Sequence, residues 1–253
     1  MIVRSLGGAF KALDETFLEP LLAALLPPRC GACDAPMATR REHHLCHLCH
    51  GALCANDGRR CKRCDVPIPG SPRLRCPRCA AQTPPFRAVH APFLYGGPLG
   101  EVIRAAKFRG KEYLATAMGA LIAPLLPRDK IWEAVVPVPL SPRRLRQRGY
   151  NQSALLASAV ASRLNLRVRH ALVRTRNTRP QSDLPLSQRA ANVAGAFSAQ
   201  PRVPPRILLI DDVVTSCETI THATRALIAG GAQVVDVAAV ARAESVTMHA
   251  GLP

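Results

Sequence analysis

Two patterns of reactive side chains stand out along the chain. The first is acidic. In ILLIDDVVTSCETI, Ile207 to Ile220, Asp211 and Asp212 follow a four-residue apolar run, and hydroxyl-bearing Thr215, Ser216 and Thr219 come next. Adjacent carboxylates accept hydrogen bonds from the vicinal hydroxyls of a ribose. Backbone N–H groups at the start of a helix attract a phosphate, and hydroxyls add donors to its oxygens. The segment therefore suits a phosphorylated ribose, provided that a strand ends at Asp211 and a helix begins near Glu218. An apolar strand ending in Asp-Asp also occurs as a Walker B strand, but no G-x-x-x-x-G-K-[ST] loop lies upstream. A receiver-type acidic pocket would leave the hydroxyl-rich loop unexplained.

The second pattern is a ladder of thiols: Cys30/Cys33, Cys46/Cys49, Cys61/Cys64 and Cys76/Cys79. Two residues between thiolates let one tight turn offer both sulfurs to one ion, and two such turns complete a tetrahedral four-cysteine site suited to zinc. CGAC and CHLC are twelve residues apart, CKRC and CPRC eleven, so the pattern reads as a tandem of two zinc ribbons holding two structural zinc ions. Disulfides would need an oxidising compartment, and no signal-peptide pattern is present. An iron–sulfur cluster is the other alternative. Sequential pairing within each ribbon is expected; spacing alone leaves interleaved pairing open. His43, His44, His47 and His50 flank the first ribbon as substitute ligands, although four cysteines already suffice. Cys54 has no partner of this kind and reads as packing filler.

The elements that must position these groups fall into three segments. Residues 1–28 read as an amphipathic helix, with Phe10, Leu13, Phe17, Leu21, Leu22 and Leu25 at helical period, ended by Pro27 and Pro28. Lys11, Asp14, Glu15 and Glu19 interrupt any apolar run there, which excludes a transmembrane helix and leaves the cytoplasm as the default compartment. Residues 29–83 carry nine of the ten cysteines and too little apolar periodicity for a core of their own. Residues 84–253 alternate strands with helices. Strands are expected over Val89–Leu94, Ala134–Val138, Leu172–Thr175, Ile207–Ile210 and Val234–Val240. Helices are expected over Leu99–Phe108, Tyr113–Leu126, Gln152–Leu164 and Glu218–Ala229. That alternation gives an α/β fold, a parallel sheet covered on both faces, with ligands at the carboxyl ends of its strands.

Charge narrows the class of ligand. Lys and Arg number 34 against 17 Asp and Glu, a formal net charge of +17 that favours phosphorylated metabolites, nucleic acid or anionic lipid. A basic, Arg-rich soluble protein would carry the same excess. Arg59, Arg60, Lys62, Arg63, Arg73, Arg75 and Arg78 gather in the second ribbon, either as solvated scaffold or as a surface for nucleic-acid phosphates. Aromatics make up only 4%, too few for many base-stacking platforms.

The Ile207–Ile220 segment resembles the phosphoribosyl-diphosphate (PRPP) motif of type I phosphoribosyltransferases. More of the chain resembles one branch, the ComF family (ComFC/GntX-like), through PPRCGAC, AVHAPFLYGGPLGEVIRAAKFRG, VVPVPLSPRRLRQRGYNQSALLA, RPQSDLPLSQRAANVAGAF and the doubled ribbon. The resemblance implies a type I phosphoribosyltransferase fold and PRPP bound with magnesium. It implies ribose on Asp211 and Asp212 as catalytic groups, and the 5-phosphate on Val213, Val214, Thr215, Ser216, Cys217, Glu218 and Thr219. Val136 to Leu140, with Val138 and Pro139, would cradle pyrophosphate. Arg143, Arg144, Arg146 and Arg148 would balance its charge, and Arg174 to Arg189 would form a lid. Lys107, Phe108 and Gly110 would approach the same site, and Asn151 would cap the helix that follows it. The resemblance also implies a link to competence and DNA uptake, with single-stranded DNA and a competence helicase as partners.

One departure from the motif bears on this reading. Cys217 stands where the family has glycine, and Glu218 adds a negative charge beside the phosphate. Glycine there permits positive φ and close backbone approach. A thiol at a helix N-terminus is either a tolerated substitution or one with a lowered pKa. Two functions follow: a phosphoribosyltransferase of unidentified acceptor, or a non-catalytic single-stranded-DNA-binding accessory protein whose ribose-phosphate site is vestigial or sensory.

Overall fold

The apolar run Ile207–Ile210 sits at the middle of the molecule, every residue of it fully buried. The computed structural model describes residues 27–38, 43–129, 131–175 and 195–243. Apart from Pro27 and Pro28, the expected N-terminal helix lies outside the described residues. In chain order the elements are α1 (His47–Gly51), α2 (Pro77–Ala81), β1 (Val89–His90), β2 (Phe93–Leu94), α3 (Gly97–Phe108), α4 (Tyr113–Ile122), β3 (Ala134–Pro137) and α5 (Pro142–Arg148). They continue with α6 (Gln152–Leu164), β4 (Arg167–Val168), β5 (Leu172–Arg174), β6 (Phe197–Ala199), β7 (Arg206–Val214), α7 (Glu218–Ala229) and β8 (Val234–Arg242).

Six strands form the expected parallel sheet, ordered β1-β8-β7-β3-β4, with β2 continuing the β1 edge of β8. Side chains alternate across a strand, so β7 feeds two cores. Ile207 and Leu209 face Ile220, Ala223 and Leu227 of α7, together with Cys61 and Cys64 of the second ribbon. Leu208 and Ile210 face α3, α4 and α6, together with Cys30 and Leu45 of the first. Each ribbon thus packs on a different face of the sheet. Burying each such Leu or Ile contributes roughly 1.5–3 kcal/mol. Small residues set the helix spacing. A Cβ on Gly119 of α4 would lie 2.7 Å from both the Leu156 carbonyl oxygen and the Ala159 Cβ of α6.

Four elements differ from expectation. The strand expected over Val89–Leu94 is two short strands, because Pro92 has no N–H to donate and the Ala91 N–H is taken by the Asp65 carboxylate of the second ribbon at 2.7 Å. The helix expected to Leu126 stops at Ile122 and tightens to a 3₁₀ turn over Ala123–Leu125, where Pro124 breaks the donor ladder. The Leu172–Thr175 strand ends at Arg174 and pairs antiparallel with β6, off the main sheet. The Ile207–Ile210 strand runs four residues further, because Ala239, Ala241 and Arg242 of β8 keep pairing with Asp211, Val213 and Val214. Pairing with β3 ends sooner, at Pro137 opposite Ile210 and the Val138 N–H on the Ile210 carbonyl.

One buried carboxylate ties the start of β8 to its surroundings. Asp236 is fully buried and accepts from Trp132 Nε1 at 2.8 Å and from Arg87 Nε at 2.8 Å, with Arg87 Nη2 on its second oxygen. Replacing it leaves the indole donor unmatched. Asp236→Ala is expected to lower unfolding free energy by roughly 2–3 kcal/mol, with Asp236→Asn intermediate, in equilibrium urea titrations.

Candidate functional site

The thiols assemble into two groups. Cys30, Cys33, Cys46 and Cys49 form one, Cys61, Cys64, Cys76 and Cys79 the other, with the sulfurs of each within 4.8 Å of one another. Sequential pairing is therefore what the fold adopts. Cys33 and Cys46 sulfurs are 3.9 Å apart, and Cys64 and Cys76 sulfurs 3.7 Å. A tetrahedron with metal–sulfur bonds of about 2.3 Å has edges of about 3.8 Å, so both groups fit zinc. The two ribbons share one local design. The first Cys-x-x-Cys turn of each ends on an aspartate at positive φ, Asp34 and Asp65, and the second opens a five-residue helix. None of the four histidines joins either group. His43 lies against His50 and His44 against Tyr113. Cys54 is exposed rather than packed, and its carbonyl accepts from the Leu94 N–H.

The acidic pair sits on the part of β7 that β3 no longer covers. Asp212 is buried and meets Lys107 Nζ at 2.8 Å and Gln152 Nε2 at 2.9 Å. Asp211 accepts from Ser153 Oγ at 3.2 Å and from the Asp212 N–H at 3.0 Å. Burial, and then the neighbouring Asp212 charge, push the Asp211 carboxyl up to about 7; Lys107 and the hydrogen bonds oppose this. Lys107 arrives from the last turn of α3, Gln152 and Ser153 from the first turn of α6. Asn151 caps α6 as expected, accepting from the Ser153 N–H at 3.1 Å. Of these partners only Lys107 was singled out by sequence. Gln152 and Ser153 carry no local signal beyond following a helix cap.

The phosphate half of the segment departs from the simple loop. Val213 and Val214 belong to β7, so only Thr215, Ser216 and Cys217 separate strand from helix. Asp211 and residues 213–215 and 217–220 line a shallow pocket at the start of α7. Cys217 takes the left-handed conformation, φ 63° and ψ 0°, that glycine would take there. Its sulfur is buried, 3.9 Å from Arg242 Nη2. The neighbouring Cys64 thiol, and then burial, raise the Cys217 thiol pKa well above its ordinary value, the reverse of a reactive helix-terminus thiolate. Glu218, which also lines the pocket, forms an ion pair with Arg78 of α2, whose other terminal nitrogen donates to the Ser216 carbonyl. Both departures from the family motif are thus absorbed by the second ribbon.

The proposed pyrophosphate segment lies alongside. Val138 is buried and its carbonyl accepts from Asn151 Nδ2 at 3.1 Å; Pro139 follows, half-buried. The arginine run folds as α5, capped by Ser141. Arg143 and Arg146 are exposed, and Arg144 is half-buried. Arg148, also half-buried, donates to Gln152 and lies over the Phe108 ring at 5.4 Å, and burial lowers its pKa. Arg174 is buried, with its guanidinium 5.2 Å from the Phe197 ring centre. Burial and Arg144 lower its pKa to about 10, against the opposing pull of Asp211. The rest of the expected lid, beyond Thr175, lies outside the described residues.

Two outcomes are expected. The purified chain should contain two zinc ions by elemental analysis, and a chelator should remove them in two phases. The first ribbon should empty faster, because Cys33 is exposed and Cys46 and Cys49 are half-buried, whereas every sulfur of the second is buried. The second outcome concerns Asp211. With its carboxyl raised from 3.8 to about 7, the folded chain holds a proton that the unfolded chain has released, so stability falls as pH rises through that window. Asp211→Asn removes the charge, and should raise the melting temperature more at pH 8 than at pH 5.

The sequence has counterparts among known proteins. The DNA utilization protein YhgH of Escherichia coli (strain K12) is 30% identical over 220 residues, covering 84% of this chain and 96% of that protein. Competence protein F of Haemophilus influenzae is 29% identical over 180 residues, 66% of this chain and 78% of the relative. Competence protein ComFC of Streptococcus pneumoniae is 29% identical over 143 residues, 56% of this chain and 62% of the relative. No family model matches the chain. A match at 30% identity over 84% of this chain and 96% of the relative is far longer than any one motif, and the chain belongs to the ComF family.

Proposed function

We propose that the chain binds PRPP or a related ribose phosphate at the carboxyl end of β7 and works in DNA uptake and utilization. The observation that carries this reading is the placement of Asp211 and Asp212 on the uncovered edge of β7, one short loop before the N-terminus of α7. Ribose hydroxyls would donate to the two carboxylates. The N–H groups of Ser216 to Thr219 would face the 5-phosphate, where the helix dipole favours an anion. The Ser216 hydroxyl, buried with no hydrogen-bond partner among the described residues, supports the same reading as a donor left over. Val138, Pro139 and Arg148 border the space for pyrophosphate, which magnesium would accompany. Phosphoribosyl transfer would then draw on electrostatic stabilisation of an oxocarbenium-like ribose. The competence and DNA-utilization names of the relatives support the cellular context.

A second reading is favoured by the exposed Arg59, Lys62, Arg73 and Arg75 of the second ribbon, within a chain of net charge +17. In it the protein is a non-catalytic accessory that binds single-stranded DNA, and the ribose-phosphate site is sensory or vestigial.

Titration with Mg-PRPP and with a single-stranded oligonucleotide, each across a range of salt concentrations, separates the two. The first reading predicts saturable PRPP binding that Asp212→Asn weakens by roughly tenfold or more. Affinity should rise as pH passes through about 7, because the hydroxyls donate to an ionised Asp211. Oligonucleotide binding with a steep salt slope and no PRPP binding would leave only the second.

A further inference from the structure

The second ribbon touches the phosphate loop at three points, and none of them is needed to hold four sulfurs around an ion. Arg242, buried at the end of β8, donates to the Cys64 carbonyl at 2.8 Å. The same guanidinium donates to the Val214 and Thr215 carbonyls at 2.7 and 2.5 Å. The Cys217 side chain packs in the same buried cluster as Cys64, and Arg242 reaches both the Cys64 carbonyl and the Cys217 sulfur, next to the left-handed backbone at the N-cap of α7. Arg78, one residue before the ligand Cys79, holds the Ser216 carbonyl and the Glu218 carboxylate together.

These contacts bear on how the loop would receive an anion. A non-glycine residue at positive φ is strained, and is held there only by its surroundings. Glu218, in the first turn of α7, would repel a phosphate; pairing with Arg78 balances its charge. The pair sits at the ribbon–loop junction, where Arg78 is half-exposed and Glu218 largely buried. Among the described residues the first ribbon has no counterpart: Arg29 pairs with Asp34 of its own turn, and Lys111 of the α3–α4 connection reaches the same aspartate.

We propose that the Cys61–Cys79 ribbon is a working part of the phosphate site, with Arg78 as its positioning residue, so that zinc in this ribbon and a phosphomonoester in the α7 loop each tighten the other. The inference rests on the ribose-phosphate reading above and adds a linkage to it. Zinc holds Cys64 and Cys79 in place; those positions hold Arg78 and the Cys217 side chain; these hold the loop in its anion-receiving shape. Linkage is reciprocal in binding free energy, so the ligand must tighten the metal as the metal tightens the ligand. Because the ribbon has to leave this arrangement before a chelator can strip it, the ligand is expected to slow the loss of the metal as well.

The test is zinc release to a colorimetric chelator from the full, zinc-loaded chain, with ribose 5-phosphate or with ribose as control, alongside calorimetric titration of ribose 5-phosphate. Ribose 5-phosphate is expected to slow one of the two release phases, the slower one, by about fivefold or more, and ribose to leave both unchanged. Arg78→Ala should weaken ribose 5-phosphate binding by about tenfold and abolish the slowing, and Arg78→Lys should restore part of both. Ribose 5-phosphate that binds the wild-type chain while leaving both phases unchanged overturns the linkage and spares the ribose-phosphate site. Absence of binding to the wild-type chain overturns the site and the linkage with it. The wild-type comparison decides the matter even if Arg78→Ala does not fold.

Discussion

The guanidinium of Arg242 is the joint on which the functional end of the molecule depends. It is 3% exposed and donates to four carbonyls, those of Cys64, Val214, Thr215 and Ala243. One cation therefore fastens the ribbon, the end of β7 and the end of β8 to a single point. A buried guanidinium is tolerated because its planar fork of donors finds matching acceptors. Asp65 adds a carboxylate in the same neighbourhood, one residue beyond Cys64. It is buried beside Arg60, with its pKa pushed up to about 6 by burial. Remove this joint, and the strand end that carries the acidic pair is no longer fixed to the ribbon.

The two ribbons are copies in sequence and in local geometry, yet they have diverged in use. The first packs beside α4 through Cys30 and Leu45 and leaves Cys33 at the surface. The second is wholly buried at its sulfurs, and its polar groups reach into the sheet: Asn56 donates to the Asp65 and Ala91 carbonyls at 3.0 Å, and Asp65 accepts from Ala91. These contacts interrupt the edge strand, separating β1 from β2.

Much of this was legible in the sequence for concrete reasons. Regular Cys-x-x-Cys spacing marks the four turns that can each offer two sulfurs to a metal, while which turns share an ion is shown only by the fold. The boundaries of α6 and α7 were readable from Asn151 at one end and Gly230-Gly231 at the other. The length of β7 was not. Two aspartates after an apolar run look like the start of a loop, and only the pairing with β8 carries the strand on to Val214. The partners of the acidic pair were largely hidden for a different reason. Lys107 comes from α3 and Gln152 and Ser153 from α6, and their convergence on the end of β7 is a property of tertiary packing, not of any local pattern. Arg78 was visible only as one basic residue among several in the ribbon. Its selection by Glu218, 140 residues away, is made by the docking of the ribbon onto the sheet.

That distance along the chain has a bearing on how the molecule is made. Cys64 and Arg242 are 178 residues apart, and so are joined only after β8 has taken its place beside β7. During synthesis the ribbons emerge long before the strands that will cover them. Their thiols must keep a metal, or stay reduced, while the sheet is still incomplete. Contacts of such long range are slow to form, because the loop must be closed before any of them contributes. The second ribbon is then both an early piece to appear and the last to be sealed.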